Sequence, residues 1–419
     1  MDIVINNAKL RDKQYGVNIG INDGIIQSII PANSESSQKN INEAGHIIDA
    51  SGKLVTPSFI DPHLHMDKAL IAEEVRDNFS GTLAEAIEII WDKKKNYTHE
   101  EVIDRASRVI KMGLRNGTKF FRTHVDVDTI IGMKGIEALL EVRKQFTGIA
   151  DIQIVAFPQE GIIKNPGADK LMRKAMKLGA NVVGGMPYNE YNSQDSMKQI
   201  DFCFNLARAF NADIDMHVDE TDDPSARTLE YLAKKTIDTQ WFGRVSAGHT
   251  CALAAYNDSY ADKIIGMVKL AQMNMITNPA TNLMLQGRLD KQPKRRGITR
   301  VKELLEAGIN VAFGQDCIKD TFYPTWGRED MLEVGLITAH AAQLSQPAEI
   351  EVLFDMPTSN SAKIMRLDEY GIYEGAPANL NVIDAATIQE AFRTNADRLF
   401  VISSGKIIAT NKTERSLNI

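Results

Sequence analysis

The chain has 419 residues, 43% of them hydrophobic and 25% charged, with a formal net charge of −7. That is the composition of a globular protein with an ample core. It argues against an electrostatic grip on nucleic acid or an anionic membrane, and no apolar run approaches the roughly 18 residues that span a bilayer. The start MDIVINNAKL lacks the basic region of a signal peptide, and Cys203, Cys251 and Cys317 are odd in number and far apart, which fits a reducing cytoplasm without a disulfide framework.

The first 55 residues read as short strands and turns: DIVINNAKL, GVNIGINDGIIQSII with an Asn-Asp-Gly turn, and HIIDASGKLVTPS. The middle then alternates. Eight short apolar runs follow in order: LVTPSFIDPHLH, KFFRTHVDVD, DIQIVAFPQEG, ANVVGGMP, ADIDMHVDE, RVSAGHT, MNMITNPAT and NVAFGQD. Between them lie segments of helical period such as THEEVIDRASRVIKMGLRNG, KGIEALLEVRKQF, GADKLMRKAMKLG and VKELLEAG, several ending at glycine as helices prefer. Eight strand–helix repeats predict an α/β fold, a parallel (β/α)8 TIM barrel over residues 56–375. The C-terminal ANLNVIDA and DRLFVISSGKIIATN return to strand pattern. Residues 1–55 and 376–419 are therefore expected to form one small β-sandwich domain from both termini.

Active sites of such barrels sit at the C-terminal ends of the strands, and chemistry gathers there. Run one ends with His63 and His65, run two carries His124, and run three leads into Gln159. Run five gives His217 and then Glu220, run six gives His249, and run eight ends at Asp316. Runs four and seven offer only Gly184–Gly185 and Asn278. Residues two apart on a strand share a face, so His63 and His65 both project into the barrel mouth and can grip one metal ion. His217 and Asp316 would complete the ligands, leaving an open position for water. Bound water of that kind loses a proton near pH ~7 and becomes a nucleophile.

Blander roles fit other residues. His124 alone reads equally well as a hydrogen-bonded structural histidine, and His46, His99 and His340 as surface or packing groups. Cys203 and Cys251 suit small apolar core positions. The basic stretch KQPKRRGITR, residues 291–300, reads as a solvated or salt-bridged loop in an acidic chain. HVDE at 217–220 lacks the helix and second histidine of a zinc protease. The zinc deaminase pattern of nucleic-acid editing enzymes is missing, because no two cysteines are close.

RTHVDVD at 122–128, DIQIVAFPQEGI at 151–162, HVDETDDPSAR at 217–227, GHT at 248–250 and LQGRLDKQPKRRGITRVKELLEAGINVAFGQD at 285–316 resemble the amidohydrolase superfamily, and within it the bacterial cytosine deaminases. The aminotriazine hydrolases that remove isopropylamine from N-isopropylammelide are a more distant likeness, sharing the HMDK of His65–Lys68. The resemblance implies His63, His65, His217 and Asp316 as ligands of one divalent metal, Zn2+ or Fe2+. It makes Glu220, His249 and Asp316 the proton-handling residues and Gln159 the reader of the ring's amide edge. Run four carries no lysine for a second metal. The implied partner is a small heterocyclic substrate, and the implied assembly a homo-oligomer.

Two departures bear on the substrate. Lys68 stands where cytosine deaminases have threonine, and Cys317 where they have a second aspartate. A neutral thiol at Cys317 admits a bulkier or C5-substituted ring. Lys68 either faces the pocket and favours anionic character in the ring, or turns away to pair with an acid near Asp67. Phe322 replaces an aromatic wall that is usually tryptophan. The expected function is metal-dependent hydrolytic deamination of cytosine or a close analogue. The alternatives are the same chemistry on an N-alkyl aminotriazine, 5-methylcytosine or creatinine, and a non-catalytic scaffold that would have lost ligands. The segment AEEVRDNFSGTLAEA at 72–86 is expected to close over the site.

Overall fold

The computed structural model describes residues 1–322, 327–414 and 416–417. Strands β1 (Ile3–Ala8), β2 (Val17–Asn22), β3 (Ile25–Pro31) and β4 (His46–Asp49) form one four-stranded sheet in the order β3-β2-β1-β4. Strand β5 (Leu54–Pro57) does not join them. It runs antiparallel to a strand from the far end of the chain, pairing Leu54 with Ile383 and Pro57 with Leu380.

Eight strands then make one parallel sheet in strict chain order. They are β6 (Phe59–Leu64), β7 (Thr118–Asp126), β8 (Asp151–Phe157), β9 (Val182–Gly185), β10 (Asp213–Val218), β11 (Val245–His249), β12 (Asn274–Thr277) and β13 (Asn310–Phe313). Helices alternate with them as the pattern predicts, for example His99–Arg115, whose buried face is Val102, Ala106, Val109, Ile110 and Leu114. The spacing of that face, three and four residues, is the helical period that marked it in the sequence. Ala168–Leu178 ends at Gly179 with φ +116°, a left-handed stop that glycine tolerates best.

The sheet closes at its C-terminal rim. Asp316 N donates to His63 O at 2.8 Å and His65 N to Asp316 O at 3.1 Å, joining the ends of β13 and β6 through the Leu64–Asp316 bridge. The last strands, β14 (Leu380–Ile383), β15 (Arg398–Ser403) and β16 (Lys406–Thr410), complete a second four-stranded sheet with β5. Its inner residues Val55, Leu380, Val382 and Ile402 share one apolar core with Ile3, Ile5, Val17, Ile19 and Ile48 of the first sheet. Both ends of the chain thus build a β-sandwich beside a TIM-like barrel.

Two local expectations give way to finer structure. LVTPSFIDPHLH is two strands, not one: Ser58 separates β5 of the sandwich from β6 of the barrel. The N-terminal segment also holds a short helix, Glu35–Asn42, capped by Ser34, whose side chain accepts from Ser37 N. It escaped a periodicity reading because ESSQKNIN carries a single apolar residue. Among the described residues no helix is long and apolar enough to cross a membrane.

Candidate active site

The strand-end residues meet. His63 and His65 leave β6, His217 leaves β10, His249 ends β11 and Asp316 follows β13, all of them buried. His65 Nε2 faces His217 Nε2 at 3.0 Å. Asp316 Oδ1 lies 3.4 Å from His65 Nε2 and 3.6 Å from His63 Nε2. One nitrogen or oxygen from each of His63, His217, His249 and Asp316 lies within 4.8 Å of the others. His63 needs close backbone to sit there: a Cβ on Gly314 would come 2.6 Å from His63 O, and one on Gly248 3.0 Å from its ring.

The donor set suits a divalent cation. Both ring nitrogens of His63, Nδ1 of His65 and of His217, and Oδ2 of Asp316 are buried without a hydrogen-bond partner. Burial, then the neighbouring His124, lowers His63 to about 4. Burial, then Lys68, takes His65 well below the ordinary range, and burial, then His249, does so for His217. Three neutral imidazoles therefore keep lone pairs free. Burial opposes ionisation of Asp316, yet His249, His63 and His65 together hold it well below the usual carboxylate range. Neutral imidazoles beside a carboxylate are ligands that zinc and iron both accept.

Beside this cluster Glu220 Oε1 lies 3.1 Å from His249 Nδ1 and accepts from Asn282 Nδ2 at 3.0 Å. Burial penalises a charged His249, but Glu220 and then Asp316 outweigh it and raise the imidazole to about 9. His249 and Asp316 hold left-handed backbone, with φ +67° and +66°, a conformation that costs non-glycine residues about 1–3 kcal/mol and gathers at functional sites. Glu220, His249 and Asp316 share a cavity with His65, His217, Lys68, Gln159, Cys317 and Phe322. Leu83, Ile87, Met186 and Thr281 complete its wall. His63 lies behind it, its ring 4.6 Å from that of His217.

A family model described as the amidohydrolase family matches residues 46–409. The chain belongs to that family. The crystal structure of 5-methylcytosine deaminase from Klebsiella pneumoniae, liganded with 5-fluorocytosine, superposes on this amidohydrolase with a TM-score of 0.94. The two are 38% identical, and the match covers 100% of this chain and 99% of that one. The N-isopropylammelide isopropyl amidohydrolase of Pseudomonas sp. (strain ADP) is 33% identical over 418 residues, 98% of each chain. A pterin deaminase of Rhizobium rhizogenes is 30% identical over 395 residues, 93% of this chain and 87% of its own.

The amidohydrolase resolves the two alternatives for Lys68 by combining them. Its ammonium lines the cavity and also pairs with an acid, Asp126, at 2.7 Å. It donates to Gln159 Oε1 as well and stands 5.9 Å from the ring centroid of Phe322. Burial, with Asp316 beside it, pushes the Cys317 thiol well above its ordinary range, so it presents a neutral group. Of the segment 72–86, Leu83 reaches the cavity. His124 does not. It packs under the site, its ring 4.2 Å from that of His63 and its Nε2 3.5 Å from Asp215. His46 and His340 are exposed, His99 is half-buried beside Glu141 at 3.0 Å, and Arg295 of the basic stretch binds Asp290.

Residue-type reasoning missed several supports. Asn282 and Asn278 both reach His249, Asn282 Nδ2 at 3.1 Å from Nδ1 and Asn278 Nδ2 at 3.2 Å from Nε2. The four-residue spacing of the two asparagines after strand seven was the available signal, since it places them on one helical face. Glu190 accepts from the amides of Ile162, Ile163 and Lys164 at 2.6–3.0 Å and so fixes the loop that carries Gln159. Asp219 accepts from Thr228 N and Leu229 N at 3.0 and 2.9 Å, tying the turn after β10 to the next helix. Neither carboxylate belongs to a local motif.

Proposed function

We propose that this amidohydrolase removes the exocyclic amine of cytosine and its C5-substituted analogues, 5-methylcytosine first among them, as ammonia. The observation that carries the reading is the shared cavity. Three candidate metal ligands, His65, His217 and Asp316, line one cavity with the Glu220–His249 pair, and the fourth, His63, packs behind His217. The relative of known structure that deaminates 5-methylcytosine supports the choice of ring. The buried free thiols Cys203, Cys251 and Cys317 favour a reducing cytoplasm as the place of work.

His63, His65, His217 and Asp316 would hold one divalent ion, zinc or iron(II). Such an ion supplies Lewis-acid activation of water, whose proton loss moves from about pH 15.7 to about 7. His249 and Asp316 orient that water, and the Asp316 carboxylate receives its proton. Glu220, 3.1 Å from His249 Nδ1, carries a proton to the ring nitrogen next to the attacked carbon and then towards the departing amine. Gln159 and Lys68 read the carbonyl edge of the ring. Cys317 and Phe322 form the wall for a C5 substituent, where a methyl group meets a thiol and a phenyl ring instead of a carboxylate.

A second reading has its own support. The Pseudomonas relative acts on N-isopropylammelide, and a buried ammonium at Lys68 suits a hydroxytriazine. Protein loaded with zinc or with iron(II) is assayed on cytosine, 5-methylcytosine and N-isopropylammelide, reading ammonia and isopropylamine separately. Ammonia from the pyrimidines is expected. Isopropylamine alone would move the enzyme to the triazines, and no amine from any ring despite one metal per chain would overturn the deaminase reading.

A further inference from the structure

Next to the cavity lies a chain of buried charges that the reaction itself does not use. Asp126, at the end of β7, shares its carboxylate between two ammonium groups. Lys68 Nζ donates to Oδ1 at 2.7 Å and Lys94 Nζ to Oδ2 at 3.1 Å. Lys94, the last residue of helix Leu83–Lys94 and fully buried, also donates to Asp128 at 2.6 Å and Glu160 at 2.8 Å. Its ammonium thus binds all three acids of a cluster whose oxygens lie within 4.8 Å of one another. Removing one partner from such a buried set leaves uncompensated charge and is strongly destabilising.

At the other end Lys68 donates to Gln159 Oε1, and Gln159 Nε2 is buried with no partner. Both side chains line the cavity. An unrestrained carboxamide can offer a ligand either its oxygen or its NH2. Here Lys68 already bonds the oxygen, which fixes the amide and leaves its partnerless NH2, together with a remaining N–H of Lys68, as the donors on offer. A carbonyl oxygen has two lone pairs and can accept both.

We propose that Lys94, acting through Asp126, is a positioning residue that holds Lys68 and Gln159 in this two-donor arrangement. The arrangement selects rings that carry a carbonyl one ring nitrogen away from the carbon under attack. The inference rests on the deaminase reading above and adds to it the buried residues that hold the carbonyl-reading pair in place, so that rings lacking the oxygen are rejected. Sites built to hydrogen-bond a substrate group reject analogues without it by about 10⁴–10⁵.

The test compares cytosine with 4-aminopyrimidine, which keeps the amine and ring nitrogens but has no carbonyl, using metal-loaded full-length protein. Wild type is expected to prefer cytosine by at least about 10³ in kcat/KM. In Asp126→Asn, KM for cytosine should rise about 10–100-fold, the worth of one charged hydrogen bond, with kcat within about threefold. The preference over 4-aminopyrimidine should fall by the same factor. Glu160→Gln, which changes a carboxylate that accepts from Lys94 at 2.8 Å, should move both in the same direction by a smaller factor.

A merely structural role would lower Tm or metal content and leave the preference unchanged in either folded variant, and that result would overturn the proposal. Should neither variant fold, a wild-type preference near unity overturns it and one above about 10³ supports it. Failure of wild type to release ammonia from cytosine or 5-methylcytosine is a different outcome, which refutes the reaction and not the wiring.

Discussion

Replacing Glu220 by glutamine separates proton transfer from binding. Glu220 Oε1 takes hydrogen bonds from His249 at 3.1 Å and Asn282 at 3.0 Å, and a glutamine carbonyl can keep both. The NH2 then occupies the other carboxylate position. There it can donate a hydrogen bond to a ring nitrogen, but it has no proton to transfer. Substrate affinity should survive, with KM within about threefold. Turnover should fall by the general acid–base contribution, about 10²–10⁴, which is about 2.7–5.5 kcal/mol of barrier. Weakening two charge-assisted bonds to neutral ones should cost about 1–2 kcal/mol of stability. Ammonia release at saturating substrate, metal content and Tm measured on one preparation check all three. A Glu220→Gln enzyme that turns over within threefold of wild type, with the same metal content, would falsify the assignment of Glu220 as the proton carrier.

Two further predictions follow from the same geometry. Cys317→Asp places a carboxylate beside Asp316 where a neutral thiol now sits, so kcat/KM for 5-methylcytosine relative to cytosine should drop at least tenfold. A methyl-sized group in an apolar pocket is worth about 1–3 kcal/mol, and an unchanged ratio in competition assays would remove Cys317 from the specificity wall. The metal-free protein should lose stability as pH rises. His249 is raised in the folded state to about 9 from 6.5, so its contribution is complete below pH 6.5 and lost on passing through about 9. Tm of chelated protein from pH 6 to 10 should fall across that window, and less so in Glu220→Gln. A flat profile would mean that Glu220 does not hold the imidazolium.

The eight barrel strands were legible because each is a short apolar run bounded by turn residues, and period two or period 3.6 survives in a single sequence. The site was legible for the same reason. A barrel brings its strand ends together, so His63, His65, His217, His249 and Asp316 could be collected without any knowledge of distance. Asp126 and Lys94 were not legible as partners, being 32 residues apart and joined only through the fold. The two-residue spacing of Asp126 and Asp128 was visible, but nothing local says that their counter-ion comes from helix Leu83–Lys94, with helix His99–Arg115 lying between it and β7 in the chain. Helix Glu35–Asn42 failed for the opposite reason. Its cap and its polarity are visible, but it has no apolar stripe to give a period.

Closure of the barrel and assembly of the candidate metal site involve the same residues. Between β13 and β6 the described backbone pairing is the single Leu64–Asp316 bridge, with Asp316 N on His63 O and His65 N on Asp316 O. Asp61 adds a carboxylate that accepts from His63 N at 3.0 Å and Gln315 N at 3.3 Å. The other seven strand pairs are parallel ladders of two or more paired residues, from two between β8 and β9 to five between β10 and β11 and seven between β7 and β8. This seam is therefore held by few bonds, and three of the residues that make them, His63, His65 and Asp316, belong to the candidate metal site. An ion gripped by His63, His65 and Asp316 clamps the seam directly, because a ligand that binds only the folded state stabilises it by mass action. Stripping the metal should therefore speed hydrogen exchange at the amides of His63, His65, Gln315 and Asp316 by at least tenfold, about 1.4 kcal/mol of lost protection. Amides inside β10 and β11 should change much less. Uniform loss across all eight strands would show instead that the ion supports global stability, and that the seam is no weaker than the rest of the barrel.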